Sequence, residues 1–410
     1  MCLSLVIVFN TYTAKNDMYF YGREEQSFER HKSIVDRYYQ RRNSWNTSRL
    51  GAVLYKNEEY PVIDENKRTK TFTILFWKHW KILQNRHVFH YGSNKEDPLN
   101  GCSVTNCVFT GDDDQLDTAD AVVVHLQRGV IPSSESRKLS QRWIFLNDES
   151  PYNVFSLAKE KPNLSDLHNV FNWSMLYRSD ADVPVPYGRT VALKTPRSSS
   201  QNPQVADIIP NWKHKRRDVL VAILLSNCGV LYRMKLIKEL KKYIRVDVHG
   251  QCGDKKLKNS CPGHFKSDCK VMSDYLFYLA LENTQCKEYI TEKPFYNAYS
   301  RGAIPIIQGP SIEECKNLLP PNSYLHVDNY ATAKDLADDI VKISLSQEVL
   351  LNYHKWRNHF EAVNEHGYFG SKSFHLCRLC EAMNYNDNKS SIYSKERIRE
   401  FLDPTKTCRK

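Results

Sequence analysis

The second half of the chain alternates short apolar runs with stretches of amphipathic spacing. Apolar runs predict strands over 219–225, 244–248, 275–281 and 303–307. A near-continuous apolar run is typical of a strand that is buried on both faces of a parallel sheet. Helical spacing separates the runs, and it predicts helices over 231–242, 290–301, 332–343 and 347–360. Strands that alternate with helices indicate an α/β fold.

The first half shows the same alternation more sparsely. Apolar runs predict strands over 71–77, 121–125 and 143–146. Turn residues follow over 187–203, and we interpret this stretch as a hinge between two halves. The pattern therefore predicts two Rossmann-like domains that face a central cleft. No Gly-x-Gly-x-x-Gly motif follows a strand, which argues against a dinucleotide dehydrogenase.

These patterns also set the domain boundaries that we expect. Residues 1–68 are interpreted as a stem or linker, because residues 10–68 are polar and charged without clear periodicity. The first Rossmann-like domain is expected over 69–205 and the second over 206–370. Residues 371–410 are expected to form a C-terminal segment that returns to the first domain.

Composition is that of a globular protein. Of the 410 residues, 41% are hydrophobic and 26% are charged, with both signs mixed along most of the chain. The net charge of +11 suits an anionic partner such as nucleic acid, a membrane surface or a nucleotide diphosphate, although we interpret most of these charges as a solvated surface. No run of lysine and arginine carries interleaved aromatic residues, so nucleic acid is not expected as a partner.

Twelve cysteines and four Asn-x-Ser sequons indicate an oxidising, secretory compartment. The sequons, at which we expect glycosylation, are Asn46, Asn163, Asn172 and Asn388. The Cys377-x-x-Cys380 spacing would also suit zinc, although Cys102 and Cys107 make a poor second half of such a site, and we favour disulfides. The apolar run 3–9 is far shorter than the roughly 20 residues that span a bilayer. A membrane anchor is therefore not evident in this sequence.

The segment 278–310 contains the most informative group of candidate binding residues. A strand is expected to end at Glu282-Asn283, and Thr291 is a good N-cap for a helix whose first turn contains Pro294. Lys293 would then lie at a helix N-terminus, where free N–H groups and an ammonium suit a diphosphate. Glu292 beside it could orient a sugar hydroxyl. The alternative is an ordinary capped helix with surface charges.

This segment, YLALENTQCKEYITEKPFYNAYSRGAIPIIQGP, resembles the donor signature of the α1,3-fucosyltransferases, glycosyltransferase family ten. Five further blocks are similar to the family: ADAVVVHLQRG, RWIFLNDESPYN, FNWSMLYRSDADVPVPYG, VAILLSNCG and VDVHGQCG. Leu276, where lysine is usual, and Pro294, where the family has a bulky residue, depart from the signature and concern packing. The resemblance implies a GT-B type fold, with the acceptor bound by the first domain and GDP-fucose by the second.

The resemblance also implies the residues of the donor pocket. They are Tyr177, Ser226, Asn227, Arg233, Tyr278, Asn283, Tyr289, Glu292 and Lys293. Ser226-Asn227 closes the strand 219–225, where parallel sheets place ligands. Arg233 would bind the diphosphate bidentately. A helix-surface arginine is the competing interpretation for this position.

Glu149, in the block LNDESP just after the strand 143–146, is implied to be the catalytic base. A positioned carboxylate there would take the proton of the acceptor hydroxyl as that hydroxyl attacks fucose. Its neighbour Asp148 would point to the opposite face, and an exposed loop carboxylate is the alternative for Glu149. Asp112-x-Asp114 resembles a metal-binding pair but is interpreted as a solvated turn, so no metal ligands are expected.

The implied reaction transfers L-fucose from GDP-β-L-fucose to a GlcNAc hydroxyl of a glycoprotein glycan, with inversion to an α1,3 linkage. It requires no cofactor, although divalent metal could raise the rate by helping GDP leave. Cys102 and Cys107 would pair with Cys377 and Cys380 in either order. The enzyme would be a type II membrane protein of the Golgi apparatus with a lumenal catalytic domain. The alternatives are an inactive glycan- or nucleotide-binding homologue and a transferase that uses another sugar nucleotide.

Overall fold

The computed structural model of the protein describes residues 26–92, 96–133, 135, 137–198, 204–253, 255–262, 268–387 and 391–409. Its first sheet consists of β1 (Phe72–Phe76), β2 (Cys107–Thr110), β3 (Ala121–His125), β4 (Arg142–Asn147), β5 (Trp173–Leu176) and β6 (Val183–Pro184). All neighbouring strands are parallel, in the order β2-β1-β3-β4-β5-β6. Every residue of β3 and β4 is buried, as expected of strands that are covered on both faces.

A two-stranded antiparallel sheet joins the halves of the chain. It pairs β7 (Gly188–Ala192) with β13 (Phe360–Asn364). A side chain at Gly188 would collide with the ring of Phe295 and with the carbonyl of Val363, so the close approach here requires glycine. The stretch interpreted as a hinge therefore begins with a strand, and residues 199–203 of that stretch lie outside the described residues.

The second large sheet is also parallel. It consists of β8 (Val221–Leu224), β9 (Val246–His249), β10 (Phe277–Leu281), β11 (Ile304–Gln308) and β12 (Leu325–His326). The strands lie in the order β12-β11-β10-β8-β9. Two parallel sheets, each with helices packed against it, confirm the predicted α/β fold of GT-B type with two Rossmann-like domains.

Helices cover both sheets. They are α1 (26–40), α2 (Arg49–Lys56), α3 (Glu65–Arg68), α4 (Trp80–His87), α5 (Val205–Ile208), α6 (Leu231–Leu240), α7 (Ile312–Leu318), α8 (Ala333–Leu345), α9 (Gln347–Asn352), α10 (His375–Tyr385), α11 (Lys395–Leu402) and α12 (Pro404–Thr407). The helix expected over 347–360 ends at Asn352, and β13 begins where the prediction still had helix. None of the helices among the described residues is long and apolar enough to cross a membrane.

The segment interpreted as a stem is folded over 26–68. The inward positions of α1 and the turn after it follow helical spacing: His31, Ile34, Val35, Tyr38 and Arg42. This stripe contains few aliphatic residues, so the sequence pattern did not reveal it.

Contacts attach this segment to both domains. The buried guanidinium of Arg42 donates from Nε to the carbonyl of Asn317 at 2.9 Å. In the other domain, a side chain at Gly51 in α2 would collide with the carbonyl of Ser179. Residues 26–68 therefore form part of the folded body rather than a free stem.

The C-terminal segment packs on the first sheet. Leu376 and Leu379 of α10 join one face of its core, and Phe401 and Leu402 of α11 join the other.

Five disulfides occur among the described residues: Cys102–Cys377, Cys107–Cys380, Cys228–Cys252, Cys261–Cys269 and Cys286–Cys408. The first two pair the four cysteines for which the resemblance implied pairing.

Candidate active site

A cavity of about 410 Å³ opens at the carboxyl end of the second sheet. Ser226 and Asn227 reach it from the end of β8, and Asn283 reaches it from the end of β10. Ligands bind at this edge of parallel sheets because the loops that follow the strands converge there. Six of the nine expected donor residues line the cavity: Ser226, Asn227, Arg233, Asn283, Glu292 and Lys293.

The turn after β9 forms another side of the cavity. Gly250 has a φ of +84°, and a side chain there would approach the carbonyl of Leu225 to 2.8 Å. The disulfide Cys228–Cys252 fastens this turn to the loop after β8. Further lining comes from Leu224, Leu225, Gln251, Lys258, Asn259, Cys261, Pro262, Asn297 and Phe369. The wall 258–262 was not predicted as part of the site.

Lys293 lies in the cavity wall among acidic groups. Its Nζ is 2.8 Å from Oε2 of Glu282 and 3.5 Å from Oε1 of Glu292. Burial alone lowers the pKa of Lys293, but the two carboxylates outweigh burial and raise it. The ammonium is therefore fully charged at neutral pH.

The helix start differs from the prediction in detail. Lys293–Ala298 is one turn of π-helix, and Glu292 occupies the N-cap position. Thr291 instead donates its N–H and its hydroxyl to the buried carboxylate of Glu282. Thr291 thus fixes the strand end of β10, while Lys293 remains the first residue of the helical turn.

Arg233 is buried on the inner side of α6. Arg233 is only 3% exposed, and its Nε donates a hydrogen bond of 2.9 Å to the main-chain carbonyl of Glu282. The alternative of a helix-surface arginine is therefore wrong. The contact holds the guanidinium at the cavity wall beside Lys293.

The three tyrosines of the expected donor set do not line this cavity among the described residues. Tyr278 is buried in β10, where its hydroxyl accepts a hydrogen bond from Asn297 Nδ2 at 3.2 Å. Tyr177 and Tyr289 pack edge to face, with ring centroids 5.0 Å apart. They lie in an aromatic cluster with Tyr187 at the contact between the domains.

Glu149 follows β4 of the first domain and meets the second domain there. Its Oε2 accepts a hydrogen bond from the hydroxyl of Tyr289 at 3.0 Å and a longer one from Asn153 Nδ2 at 3.4 Å. Asn147 Nδ2 donates to the main-chain carbonyl of Glu149 at 2.6 Å. Tyr289 precedes Glu292 by three residues, so a short segment connects the candidate base to the cavity.

Two family models match the chain. A model described as "Fucosyltransferase, N-terminal" matches residues 69–188, and one described as "Glycosyltransferase family 10 (fucosyltransferase) C-term" matches residues 212–398. The chain belongs to the family 10 fucosyltransferases. The family and the enzyme class that the sequence predicted are thereby confirmed.

Similar proteins include two curated fucosyltransferases. "Glycoprotein 3-alpha-L-fucosyltransferase A" of Drosophila melanogaster is 28% identical over 86% of this chain, which spans 62% of that protein. "4-galactosyl-N-acetylglucosaminide 3-alpha-L-fucosyltransferase 9" of Bos taurus is 31% identical over 72% of this chain and 75% of its own length. A solved structure, "Crystal Structure of alpha1,3-Fucosyltransferase with GDP-fucose", superposes with a TM-score of 0.48 at 15% identity, covering 85% of this chain and 99% of its own.

In this fucosyltransferase, Asp148 is buried while its neighbour Glu149 is only half-buried. Asp148, His366 and His375 are the three described residues whose ligand atoms are spaced as in a metal site. However, Arg86 Nη1 lies 2.6 Å from Oδ2 of Asp148, and a guanidinium in that position repels a cation. Asp112 and Asp114, which resemble a metal-binding pair in the sequence, form an exposed turn, as the sequence predicted. In this turn the side chain of Asp112 accepts a hydrogen bond from the N–H of Asp114.

The sequons of the fucosyltransferase differ in accessibility. Asn46 and Asn163 are exposed, and Asn388 lies outside the described residues. Asn172 is 2% exposed, its Oδ1 accepts from the N–H of Trp143, and its Nδ2 donates to a main-chain carbonyl at residue 391. Both amide atoms of Asn172 are therefore engaged in the fold, beside a cavity that Asn172 lines, and glycosylation at this position stays a prediction.

Proposed function

We propose that this chain transfers L-fucose from GDP-β-L-fucose to a GlcNAc hydroxyl of a glycoprotein glycan, with inversion to an α1,3 linkage. The observation that carries the proposal is the hydrogen bond between Tyr289 and Glu149, because it joins the candidate base of one domain to the segment of the other domain that enters the cavity wall three residues later, at Glu292. The names of the similar fucosyltransferases support the linkage. In this proposal the domain 69–205 binds the acceptor and the domain 206–370 binds GDP-fucose.

The proposed reaction is a single displacement. The acceptor oxygen forms a bond to the anomeric carbon of fucose from one side while the bond to the β-phosphate oxygen breaks on the other. Glu149 takes the proton of the acceptor hydroxyl. Burial and the charge of Glu149 raise the pKa of Tyr289 well above its ordinary value, so this phenol stays protonated and keeps the carboxylate in place.

Charge on the leaving GDP would be balanced by fixed cations. Lys293 and Arg233 both lie in the cavity wall, where Arg233 is buried and the side chain of Lys293 is 17% exposed. Preorganised cations stabilise a developing anion without reorganising during the reaction. We therefore propose that no bound metal is required, and that divalent ions act at most on the release of GDP.

Incubation with GDP-fucose and a glycan array tests the proposal directly. We expect fucose to be transferred to GlcNAc-containing glycans, with the α1,3 linkage read by mass spectrometry. Binding of GDP-fucose without transfer or hydrolysis would instead support an inactive homologue. Transfer from another sugar nucleotide in a donor panel would overturn the donor assignment.

The proposed location, the Golgi lumen, rests on the sequons and disulfides and is tested by immunofluorescence of the full gene product.

A further inference from the structure

Asp148, the residue before the candidate base, is fixed on every side. Its Oδ2 accepts a hydrogen bond from Arg86 Nη1 at 2.6 Å, and its Oδ1 lies 3.1 Å from Nε2 of His375. The main-chain carbonyl of Asp148 accepts a hydrogen bond from the hydroxyl of Tyr187 at 2.9 Å. Both the side chain and the peptide that leads to Glu149 are therefore held.

The partners of Asp148 come from distant parts of the chain. Arg86 lies in the last turn of α4, and its Nε donates to the carbonyl of His366 at 3.0 Å. His375 begins α10, which two disulfides attach to the first domain. The guanidinium of Arg86 also stacks over Tyr368, 4.3 Å from the ring centroid. Asp148 is thus the point at which α4 and the segment 366–375 meet the end of β4.

The charge of this cluster is balanced. Burial lowers the pKa of the surrounding histidines, which are His87, His125, His366 and His375, so they are neutral near pH 7. Burial raises the pKa of Asp148, but the charge of Arg86 and the hydrogen bond with His375 outweigh burial and hold that pKa well below the usual range. Tyr187 and Tyr368 face the same carboxylate as protonated phenols, since burial raises the pKa of each. The remaining charges, Arg86 and Asp148, cancel.

We infer that Asp148, clamped by Arg86 and His375, is a positioning residue for Glu149; this rests on the proposed role of Glu149 as base. The peptides on both sides of Glu149 are held, by Tyr187 on the carbonyl of residue 148 and by Asn147 on the carbonyl of residue 149. The side chain of Glu149 is then oriented by the hydrogen bonds that its Oε2 accepts from Tyr289 and Asn153. A buried ion pair is weak evidence for stability, which leaves positioning and charge balance as its effect here.

Substitutions that change one charge at a time test this inference. In the full chain, Asp148→Asn leaves the positive charge of Arg86 uncompensated. A positive charge favours the ionised form of the base, so we expect the acidic limb of the plot of kcat against pH to move to lower pH. Arg86→Met leaves Asp148 uncompensated, so that limb moves to higher pH. In the double variant both charges are absent, and the limb returns to its wild-type position. We expect kcat to fall about 10–100-fold in each single variant, as for a displaced catalytic group, with the Kd for GDP unchanged.

His375 provides a second test that leaves both charges in place. Glutamine can still donate a hydrogen bond to Asp148, whereas leucine cannot. We expect His375→Leu to lower kcat about 10-fold without changing KM for GDP-fucose, and His375→Gln to retain most of the activity. A merely structural role would instead lower the folded fraction of both variants and leave kcat per folded molecule at the wild-type value.

The outcomes separate this inference from the proposed function. If Glu149→Gln keeps wild-type turnover, the base assignment fails. If Glu149→Gln is inactive while Asp148→Asn has wild-type kcat and an unshifted profile, the positioning role alone is overturned. Stoichiometric zinc in the purified protein that disappears in His375→Leu would also overturn it, because a metal would then take the place of the ion pair.

Discussion

The hydroxyl of Tyr289 in the second domain donates a hydrogen bond of 3.0 Å to Oε2 of Glu149 in the first. The neighbouring residue strengthens this connection between the domains. The buried carboxylate of Glu288 accepts hydrogen bonds from the N–H and the hydroxyl of Ser179 at 2.7 and 3.0 Å. The loop that carries Tyr289 is therefore held against the first domain, and the position of the base depends on contacts that neither domain provides alone.

Replacing the base should abolish turnover while preserving donor binding. We expect Glu149→Gln to lower kcat by about 10²–10⁴, the usual effect of losing a general base, with GDP affinity unchanged. Tyr289→Phe is the matched variant, because it removes only the hydroxyl that contacts Glu149. It should give a smaller loss of kcat. Steady-state kinetics with calorimetry of GDP binding checks both, and wild-type turnover in Glu149→Gln would contradict the assignment.

Two neighbouring residues should affect GDP binding in opposite directions. Lys293→Ala removes an ammonium from the cavity wall, so GDP and GDP-fucose should both bind more weakly. Glu292→Gln removes a negative charge at the same place, so GDP should bind no more weakly than to the wild type. If Glu292 orients a hydroxyl of fucose, its substitution should nevertheless lower kcat. Calorimetry with GDP is the measurement, and an unchanged affinity in Lys293→Ala would rule out a diphosphate contact.

Removal of metal should leave the reaction intact. After exhaustive EDTA treatment we expect turnover to continue, because Lys293 and Arg233 are fixed cations of the protein. The Asp112→Asn, Asp114→Asn double variant is the control, since these residues form a solvated turn in the first domain. Loss of activity with EDTA, rescue by Mn²⁺ and an inactive double variant would together contradict the charge-balancing role of Lys293 and Arg233.

Stability should fall as the protein is acidified from pH 7 to pH 5. Burial lowers the pKa of His125 to about 4, below its unfolded value near 6.5. The unfolded chain therefore takes up a proton on acidification while the folded protein does not. For His125 alone the free energy of unfolding should drop by about 2 kcal/mol over this interval. Urea denaturation at both pH values measures the drop, and His125→Leu should reduce it by a similar amount.

The two disulfides at α10 should be essential to stability. Each closes a loop of more than 270 residues, because the sequence separations are 275 and 273. Because Cys102–Cys377 already closes nearly the same loop, the pair Cys107–Cys380 closes only the short ring formed by residues 102–107 and 377–380. Removing this pair alone by substitution with serine should lower the free energy of unfolding by about 3 kcal/mol in the entropy model, and removing both pairs should lower it considerably more. Peptide mapping without reduction should show Cys102 linked to Cys377. A peptide that links Cys102 to Cys380 would contradict the pairing.

The strands β1, β3, β4, β8, β9, β10 and β11 could be predicted because each lies in an apolar run, whereas β2, β5, β6, β7, β12 and β13 were not predicted. The π-helical turn Lys293–Ala298 could not, because its geometry depends on distant packing such as the stack of Tyr296 on Phe369. Spacing alone also cannot separate an exposed sequon from one that is buried. The hydrogen-bond partners of the Asp148 side chain, Arg86 and His375, are separated from it by 62 and 227 residues, and no local pattern reveals them.

The disulfide Cys286–Cys408 has a practical consequence for expression of the protein. It joins the loop that precedes Tyr289 to the third residue from the end of the chain, and Lys287 N–H donates to the carbonyl of Thr407 beside it. Trimming the chain before Cys408 would spare every strand among the described residues, yet it would remove Cys408 from the aromatic cluster and release the loop that positions the base. A preparation truncated before Cys408 should therefore still bind nucleotide in the second domain and yet be inactive.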